Sequence, residues 1–233
     1  MGAQWKHKKR SAAADKRGKL FGKLVKEIVV AARGGADPEM NAGLRMALEA
    51  ARKQSVPKDT IDRAVKKGAG LTGETVSYET VTYEGYGPHQ VAVIVECLTD
   101  NKNRTASSMR VLFRGGQLGN SGSVSWDFTR CGMVEAPTHD GGEDPEEAAI
   151  EAGADDVSID DDGMCSFQTA PEDLHAVTTA LTERGWVPES SKLVWAPKNP
   201  VALDEEKLAE VEAWLERMDD DDDVQNIFVA LGG

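Results

Sequence analysis

The sequence of 233 residues contains little cysteine and no long hydrophobic run. Its three cysteines, Cys97, Cys131 and Cys165, are far apart and show no CxxC spacing, so neither a zinc site nor a disulfide framework is predicted. We expect buried or reduced thiols, as in a cytosolic protein. No stretch of about 18 apolar residues occurs, so no membrane-spanning helix is expected. These absences favour a cytoplasmic protein that has no contact with the membrane and no bound metal.

The sequence also lacks a recognisable set of catalytic residues. Its four histidines, His7, His89, His139 and His175, are scattered and have no obvious carboxylate or cysteine partner. The glycine-rich stretch GGQLGNSGS has no lysine and precedes a predicted strand, which excludes a P-loop. Because catalysis requires a matched set of side chains, we predict a non-enzymatic protein without a cofactor. The alternative is an enzyme that acts through the TDNKNRT loop and the glycine-rich turn on a small molecule bound in a cleft between domains.

Positive charge is concentrated at one end of an acidic chain. The formal net charge is −13, yet residues 1–75 contain 17 Lys or Arg and 8 Asp or Glu, a net of +9. Residues 76–233 contain 10 basic and 32 acidic residues, a net of −22. Such segregation is typical of a protein that meets phosphate with one part of its surface. The sequence therefore predicts that the N-terminal region binds nucleic acid.

The periodicity of apolar residues changes near residue 76, from helical to strand-like. Before it, we predict three helices: one with an apolar stripe from Leu20 to Ala32, one starting at Asp37-Pro38, and one opened by Pro57 and ended by Gly68. After it, strands alternate with helices, and residues 132–200 follow a β-α-β-β-α-β order. SGSVSWDF is predicted as a strand.

We predict an α+β fold of three domains. They are a basic helical domain at 1–75, a split α/β domain at 76–131 plus 201–233, and a ferredoxin-like domain at 132–200 inserted into the split domain.

The basic N-terminus is the strongest candidate for contact with phosphate, since each contact releases condensed counterions. Trp5 could stack on a base, as aromatic residues do in RNA-binding proteins. The predicted contacts in this segment are Trp5, Lys6, Lys8, Lys9, Arg10, Lys16, Arg17, Lys19, Lys23 and Lys26. The alternative is a solvated face that aids solubility, which so acidic a chain hardly requires.

Two further segments are candidates. The second and third helices could form a helix-turn-helix that offers Lys58, Arg63, Lys66 and Lys67 to a DNA groove, or they could be an ordinary helical hairpin. In TDNKNRT, the predicted phosphate contacts are Asn101, Asn103 and Arg104. There, an N-cap at Thr99 or Asp100 is the structural alternative.

The run of five acids from Asp219 to Asp223 does not have the alternating ligands of a calcium loop. We predict a solvated helix end. The alternative is that the run mimics nucleic acid or holds the basic domain until a ligand competes.

Several of these stretches together resemble the YebC/PmpR family, over nearly the whole chain. The matching motifs are AAADKRGKLFGKLVKEI, VPKDTIDRAVKKG, YEGYGP, VECLTDNKNRT, LGNSGSVSWDF, IEAGADDV and LERMDDDDDVQNIFVAL. The resemblance implies a three-domain α+β fold and a cytoplasmic, DNA-binding transcriptional regulator. Related proteins, including a mitochondrial translational activator, associate with ribosomes and help synthesis of proline-rich stretches. The resemblance therefore also leaves open a contact with rRNA or tRNA.

Physical reasoning favours contact with ribosomal RNA, whereas the usual description of the family favours DNA. A promoter-specific regulator usually carries base-reading side chains on a rigid element and is often a dimer. No dimerisation signal is evident, so a monomer is expected. A flexible basic arm with aromatic residues suits RNA, where shape and charge dominate. Our prediction is a DNA-binding regulator, with a ribosome-associated translation factor as the alternative.

Overall fold

The computed structural model describes residues 13–73, 77–138, 142–160 and 162–232. Side chains at 13–16 and 42 are outside this description. Within these residues the chain is α+β, as predicted, with two four-stranded sheets. The helices are α1 (Ala13–Ala31), α2 (Ala42–Lys53), α3 (Lys58–Gly68), α4 (Lys102–Leu112), α5 (Pro145–Ala152), α6 (Leu174–Glu183) and α7 (Glu205–Asp219). The strands are β1 (Glu79–Tyr86), β2 (Ala92–Thr99), β3 (Gln117–Leu118), β4 (Phe128–Pro137), β5 (Asp156–Ile159), β6 (Met164–Thr169), β7 (Ser190–Pro197) and β8 (Val224–Val229).

The chain divides into two compact units. Of the described residues, the first unit holds 13–73 and 77–121 together with Asp204–Ile227. The second unit holds Gly122–Leu203 and the stretch from Phe228 onward. The three domain boundaries predicted from the sequence stay predictions. None of the described helices is long and apolar enough to span a membrane.

In the first unit, α1 packs against both α2 and α3. The predicted apolar stripe of α1 is buried at Leu24, Ile28, Val29 and Ala32. Leu44 and Leu48 of α2 and Ile61 and Ala64 of α3 cover that stripe to form one hydrophobic cluster. The unit also contains β1, β2, β3 and residues 224–227 of β8, in a sheet with the strand order β3-β1-β2-β8.

The second unit has the order β4-α5-β5-β6-α6-β7, and its strands lie in the order β5-β6-β4-β7. All three strand pairs are antiparallel. This is the predicted β-α-β-β-α-β pattern. Phe167 and Trp186 meet edge to face in its core, with ring centroids 5.1 Å apart.

Two local predictions are wrong. The second helix starts at Ala42 instead of Asp37-Pro38, because Asn41 is the better cap. Its side-chain oxygen accepts from the Leu44 amide, while its Nδ2 donates to the Ala31 and Gly35 carbonyls at the end of α1. An aspartate could not donate, so only an amide can join the two helix ends.

SGSVSWDF is not a strand either. Trp126 Nε1 donates to the Ser123 carbonyl, and Ser125–Asp127 forms a 3₁₀ turn. The strand begins at Phe128 and runs without a break to Pro137.

The three cysteines are free and buried, as predicted. Burial raises the pKa of the Cys97 thiol to about 12. At neutral pH this thiol is therefore protonated and is a poor nucleophile or metal ligand.

Candidate nucleic-acid interface

Helix α3 presents a basic surface to solvent. Lys58, Arg63 and Lys66 are exposed, and Lys67 is partly buried. Within the described residues, none of these four side chains forms an ion pair with an acid, and Arg63 Nε donates only to the Asp59 carbonyl of its own helix. The helix contains four basic and two acidic residues, so its net charge is positive. These side chains can therefore bind phosphate without first releasing another anion.

The turn between α2 and α3 spans residues 54–57 and has no glycine. Ser55 has φ +60°, the left-handed conformation that glycine adopts most easily. Pro57 then stands at the N-cap position of α3 with an extended backbone. The turn of a helix-turn-helix often contains a glycine. In the structure, Ser55 takes the conformation that such a glycine would supply.

The lysines of α1 are placed differently, because they face the acidic run. The ammonium groups of Lys19, Lys23 and Lys26 form ion pairs with carboxylates of that run. Lys19 pairs with Asp220 at 2.7 Å, Lys23 with Asp219 at 2.8 Å, and Lys26 with Asp223 at 3.1 Å.

The prediction of a solvated helix end is therefore wrong for Asp223, which is buried, whereas Asp220 is exposed and also forms an ion pair. Local composition could not reveal the lysines, which lie about two hundred residues earlier in the chain. These contacts are those expected if the run holds the basic helix, which was the alternative prediction.

The ion pairs limit what α1 can contribute to phosphate binding. A phosphate that binds Lys19 or Lys23 would have to displace the carboxylate of an existing ion pair. The net gain in binding free energy would therefore be small. An exposed pair such as Lys19–Asp220 is worth about 0–1 kcal/mol, and Lys23 and Lys26 are more deeply buried. In the first unit, α3 is thus better placed than the second half of α1 to meet a phosphate backbone.

Asp223 joins three parts of the first unit. It is 6 % exposed, and its carboxylate accepts hydrogen bonds from Thr99 Oγ1, Thr105 Oγ1 and Arg104. Lys26 of α1 completes the set at 3.1 Å. A buried carboxylate is tolerated only when it is paired and hydrogen-bonded, and the donors here come from α1, β2 and α4.

Because of these contacts, the stability of the first unit should depend on pH in the acidic range. Burial raises the pKa of Asp223, but hydrogen bonds from Arg104, Thr105 and Lys26 outweigh burial and hold the pKa below its usual value. A carboxyl whose pKa is lowered on folding stabilises the protein above its unfolded pKa, about 3.9, and ceases to do so as the pH falls through the folded value.

We therefore expect the free energy of unfolding to fall more steeply below about pH 4 in the wild type than in Asp223→Asn, which has no such proton to bind. Urea titrations at a series of pH values measure this slope. Equal slopes for the two proteins would contradict the role assigned to the Asp223 carboxylate.

The TDNKNRT residues lie at the start of α4. The N-cap is Asn101, whose side chain accepts from the Arg104 amide, and it is neither Thr99 nor Asp100. Arg104 binds Asp100 and Asp223 at 2.9 Å each. Asn103 is exposed. Much of this motif is therefore used within the fold, although Asn103 remains accessible.

An open cleft separates α1 from α4 in the first unit. Gly18 and Gly22 of α1, Tyr78 and Ser108 line it, together with four basic and four acidic side chains. The charges balance, so the cleft as it stands does not favour an anion over a cation. Among the described residues, no cluster of His, Cys, Asp or Glu is arranged to hold a metal ion.

The remaining predicted contacts fall as follows. Trp5, Lys6, Lys8, Lys9 and Arg10 lie outside the described residues, and Lys16 lies in α1 with a side chain that is not described. Arg17 is exposed near the start of α1. Sequence analysis missed Arg52, which is exposed in the last turn of α2 beside the turn to α3. Arg52 lies only six residues before Lys58, and this proximity could have indicated that it belongs to the same basic surface.

Two protein-family models match this chain. "TACO1/YebC protein N-terminal domain" matches residues 2–71, and "TACO1/YebC second and third domain" matches residues 78–231. A protein of Pseudomonas fluorescens strain Pf0-1 is 59 % identical over the full length of both chains and is named a probable transcriptional regulatory protein. A protein of Bdellovibrio bacteriovorus with the same description is 49 % identical over 99 % of this chain and all of its own length.

A solved structure is also similar. The crystal structure of a conserved hypothetical protein, Aq1575, from Aquifex aeolicus matches with a TM-score of 0.87 and 43 % identity. The match covers 99 % of this chain and 96 % of that one. The resemblance seen in the sequence motifs is thus confirmed over both family models and the whole fold: the chain belongs to the TACO1/YebC family.

Proposed function

We propose that this protein is a transcriptional regulator that binds duplex DNA through its basic N-terminal region and catalyses no reaction. The observation that carries the proposal is the surface of α3, where Lys58, Arg63 and Lys66 are exposed and have no acidic partner among the described residues. Relatives at up to 59 % identity are named probable transcriptional regulatory proteins, which supports the same class of function.

The arrangement of α2 and α3 supports duplex DNA as the ligand. A second helix that follows a short turn can enter the major groove while the first helix crosses the backbone. Here α1 packs on both helices, so α3 is held on a rigid base. The remainder of the chain is strongly acidic, so its negatively charged surfaces would repel DNA. This distribution of charge would therefore both attract DNA to α3 and orient the protein on it.

The test is the salt dependence of binding to a fluorescein-labelled duplex DNA, measured by fluorescence anisotropy. The variant Arg63→Gln/Lys66→Gln removes two exposed charges from α3 and keeps good helix-forming residues. We expect about tenfold weaker binding, with a log–log salt slope that is smaller by about 2, because each lost phosphate contact lowers the slope by about 0.9.

The matched control is Lys192→Gln/Arg217→Gln, which removes the same charge from exposed positions on β7 and α7. It should bind like the wild type. If the α3 variant and this control have the same affinity and slope, α3 does not contact the DNA and the proposal fails.

A ribosome-associated translation factor is the second candidate. The matching family models name TACO1 beside YebC, and the resemblance described above includes a mitochondrial translational activator. In this case the α3 charges would meet rRNA or tRNA, and a structured RNA hairpin would bind more tightly than duplex DNA in the same titration. The two candidates therefore share a surface and differ in its ligand.

A further inference from the structure

Helix α4 carries a second concentration of positive charge. Residues 76–233 contain 10 Lys or Arg, and four of them lie between positions 102 and 114: Lys102, Arg104, Arg110 and Arg114. No acid occurs in that window, although the whole segment has a net charge of −22. Thus a local basic stretch stands within the acidic part of the chain.

The four cations divide into two pairs according to their contacts. Lys102 forms an ion pair with Glu79, and Arg104 is held by Asp100 and Asp223. Arg110 and Arg114 are exposed, and neither forms an ion pair within the described part of the chain. The first pair is therefore used to position α4, while the second pair is available to a ligand.

Arg110 and Arg114 lie on a stripe of hydrogen-bond donors. Asn103, Ser107 and Arg110 are spaced by four and three residues and are exposed, so they follow one another along the outer face of the helix. Arg114 is exposed two residues beyond the end of the helix, and the Ser107 hydroxyl donates to the Asn103 carbonyl. Arg, Asn and Ser are among the side chains that bind phosphate oxygens in protein–DNA complexes. A protein surface would more often require apolar anchors, and Val111 alone is apolar and exposed beside this stripe.

The stripe belongs to the same compact unit as α3. Both helices lie in the first unit, and Lys26 of α1 and Arg104 of α4 share the Asp223 carboxylate. The position of α4 relative to the helical region is thus fixed by a buried contact. One nucleic-acid ligand can in this way meet two surfaces whose separation is set by the fold.

We propose that the outer face of α4, formed by Asn103, Ser107 and Arg110, together with Arg114 just beyond the helix end, is a second phosphate-binding surface that contacts the nucleic-acid backbone. This rests on the proposed function, since it adds a second contact to the same ligand. The contact is made by charge and hydrogen bonding to phosphate, so it is independent of base sequence.

The experiment titrates the full chain against the same labelled duplex DNA over a range of salt concentrations. The variant Arg110→Gln/Arg114→Gln is compared with the wild type, the α3 variant and the Lys192→Gln/Arg217→Gln control. We expect affinity to fall about tenfold and the log–log salt slope to shrink by about 2. The same shift with duplexes of unrelated sequence would show that the contact is to the backbone.

A structural role for the arginines is measured separately. Cations near a helix C-terminus also interact favourably with the helix dipole, so the variant could lower the thermal midpoint. For that reason the anisotropy is read well below the midpoint, where circular dichroism shows native helix content. The neutral variant Asn103→Ala/Ser107→Ala leaves the charges in place and is expected to weaken binding only a few fold, with an unchanged slope.

The outcomes separate the two proposals. If the α3 variant loses affinity while the α4 variant matches the control in affinity and slope, the α4 proposal is overturned and the proposed function stands. An α4 face that serves an acidic protein partner would give this same result. If the wild type shows no salt-dependent binding to DNA or to the RNA hairpin, both the proposed function and the α4 proposal are contradicted.

Discussion

Replacing Asp223 by alanine should lower the free energy of unfolding by about 3 kcal/mol, because removing one partner of a buried charged cluster leaves the others uncompensated. Lys26, whose side chain is 17 % exposed, would lose its carboxylate partner, and Arg104 would keep one carboxylate partner, Asp100. The two threonine hydroxyls can still bond to each other, at 2.7 Å, so they add little to the loss. Urea denaturation followed by circular dichroism measures the change.

The adjacent residue provides a matched control. Asp222→Ala removes the same charge, but the Asp222 side chain is exposed, and Lys26 reaches only its backbone carbonyl. Surface substitutions of this kind usually change stability by about 0.5 kcal/mol or less. If the two variants unfold at the same urea concentration, Asp223 does not join α1 to α4 as described.

Replacing Gly68 by alanine should destabilise the helical region by about 2 kcal/mol, within the range for overpacked contacts. A Cβ at this position would lie 2.3 Å from the Val29 carbonyl oxygen and 2.7 Å from the Ala32 Cβ, both in or next to α1. The obstacle is backbone, so it cannot be relieved by rotating a side chain. Since α3 must move away from α1, DNA binding through α3 should weaken as well.

Gly22→Ala in α1 is the control for this substitution. Among the described residues, no atom outside the adjacent residues and the backbone of α1 lies within 4 Å of the position of a Cβ at Gly22, and alanine forms helix more readily than glycine. We expect the control to be more stable than the wild type by about 0.5–1 kcal/mol. Equal thermal midpoints for Gly68→Ala and the wild type would mean that α3 does not approach α1 this closely.

The parts of the fold that depend on local pattern could be predicted from the sequence. The stripe of α1 and the end of α3 at Gly68 follow from apolar spacing and a helix-breaking residue, and both are present. The β-α-β-β-α-β order of the second unit follows in the same way. Errors arose where a side chain serves two elements at once, as Asn41 does when it caps α2 and binds the end of α1.

The contacts of Asp223 could not be predicted, because they join residues that are far apart in sequence. Arg104 and Asp223 are separated by 119 positions, and nothing in either segment identifies the other. The run of acids was therefore interpreted by composition, as a solvated helix end. Its ion pairs with α1 are visible only when the whole first unit is folded.

The candidate site was predictable in part. The α3 cations are exposed and form no ion pair with the described residues, but the sequence could not distinguish them from the lysines of α1 that are paired internally. Composition gives the number of charged residues but does not show which of them form ion pairs. The expected contacts at residues 5–10 lie outside the described residues and stay predictions, as does the absence of enzymatic activity.

Sedimentation of a gently prepared native lysate most directly tests whether duplex DNA or the ribosome is the ligand of α3. The fractions of a sucrose gradient are probed for the wild type and for Arg63→Gln/Lys66→Gln. A DNA-binding regulator is predicted to remain in the upper fractions at low salt after nuclease has removed DNA, while the purified wild type retards duplex DNA and the variant does not. Co-sedimentation of the wild type with ribosomes, lost at high salt and in the α3 variant, would contradict this and establish the translational alternative.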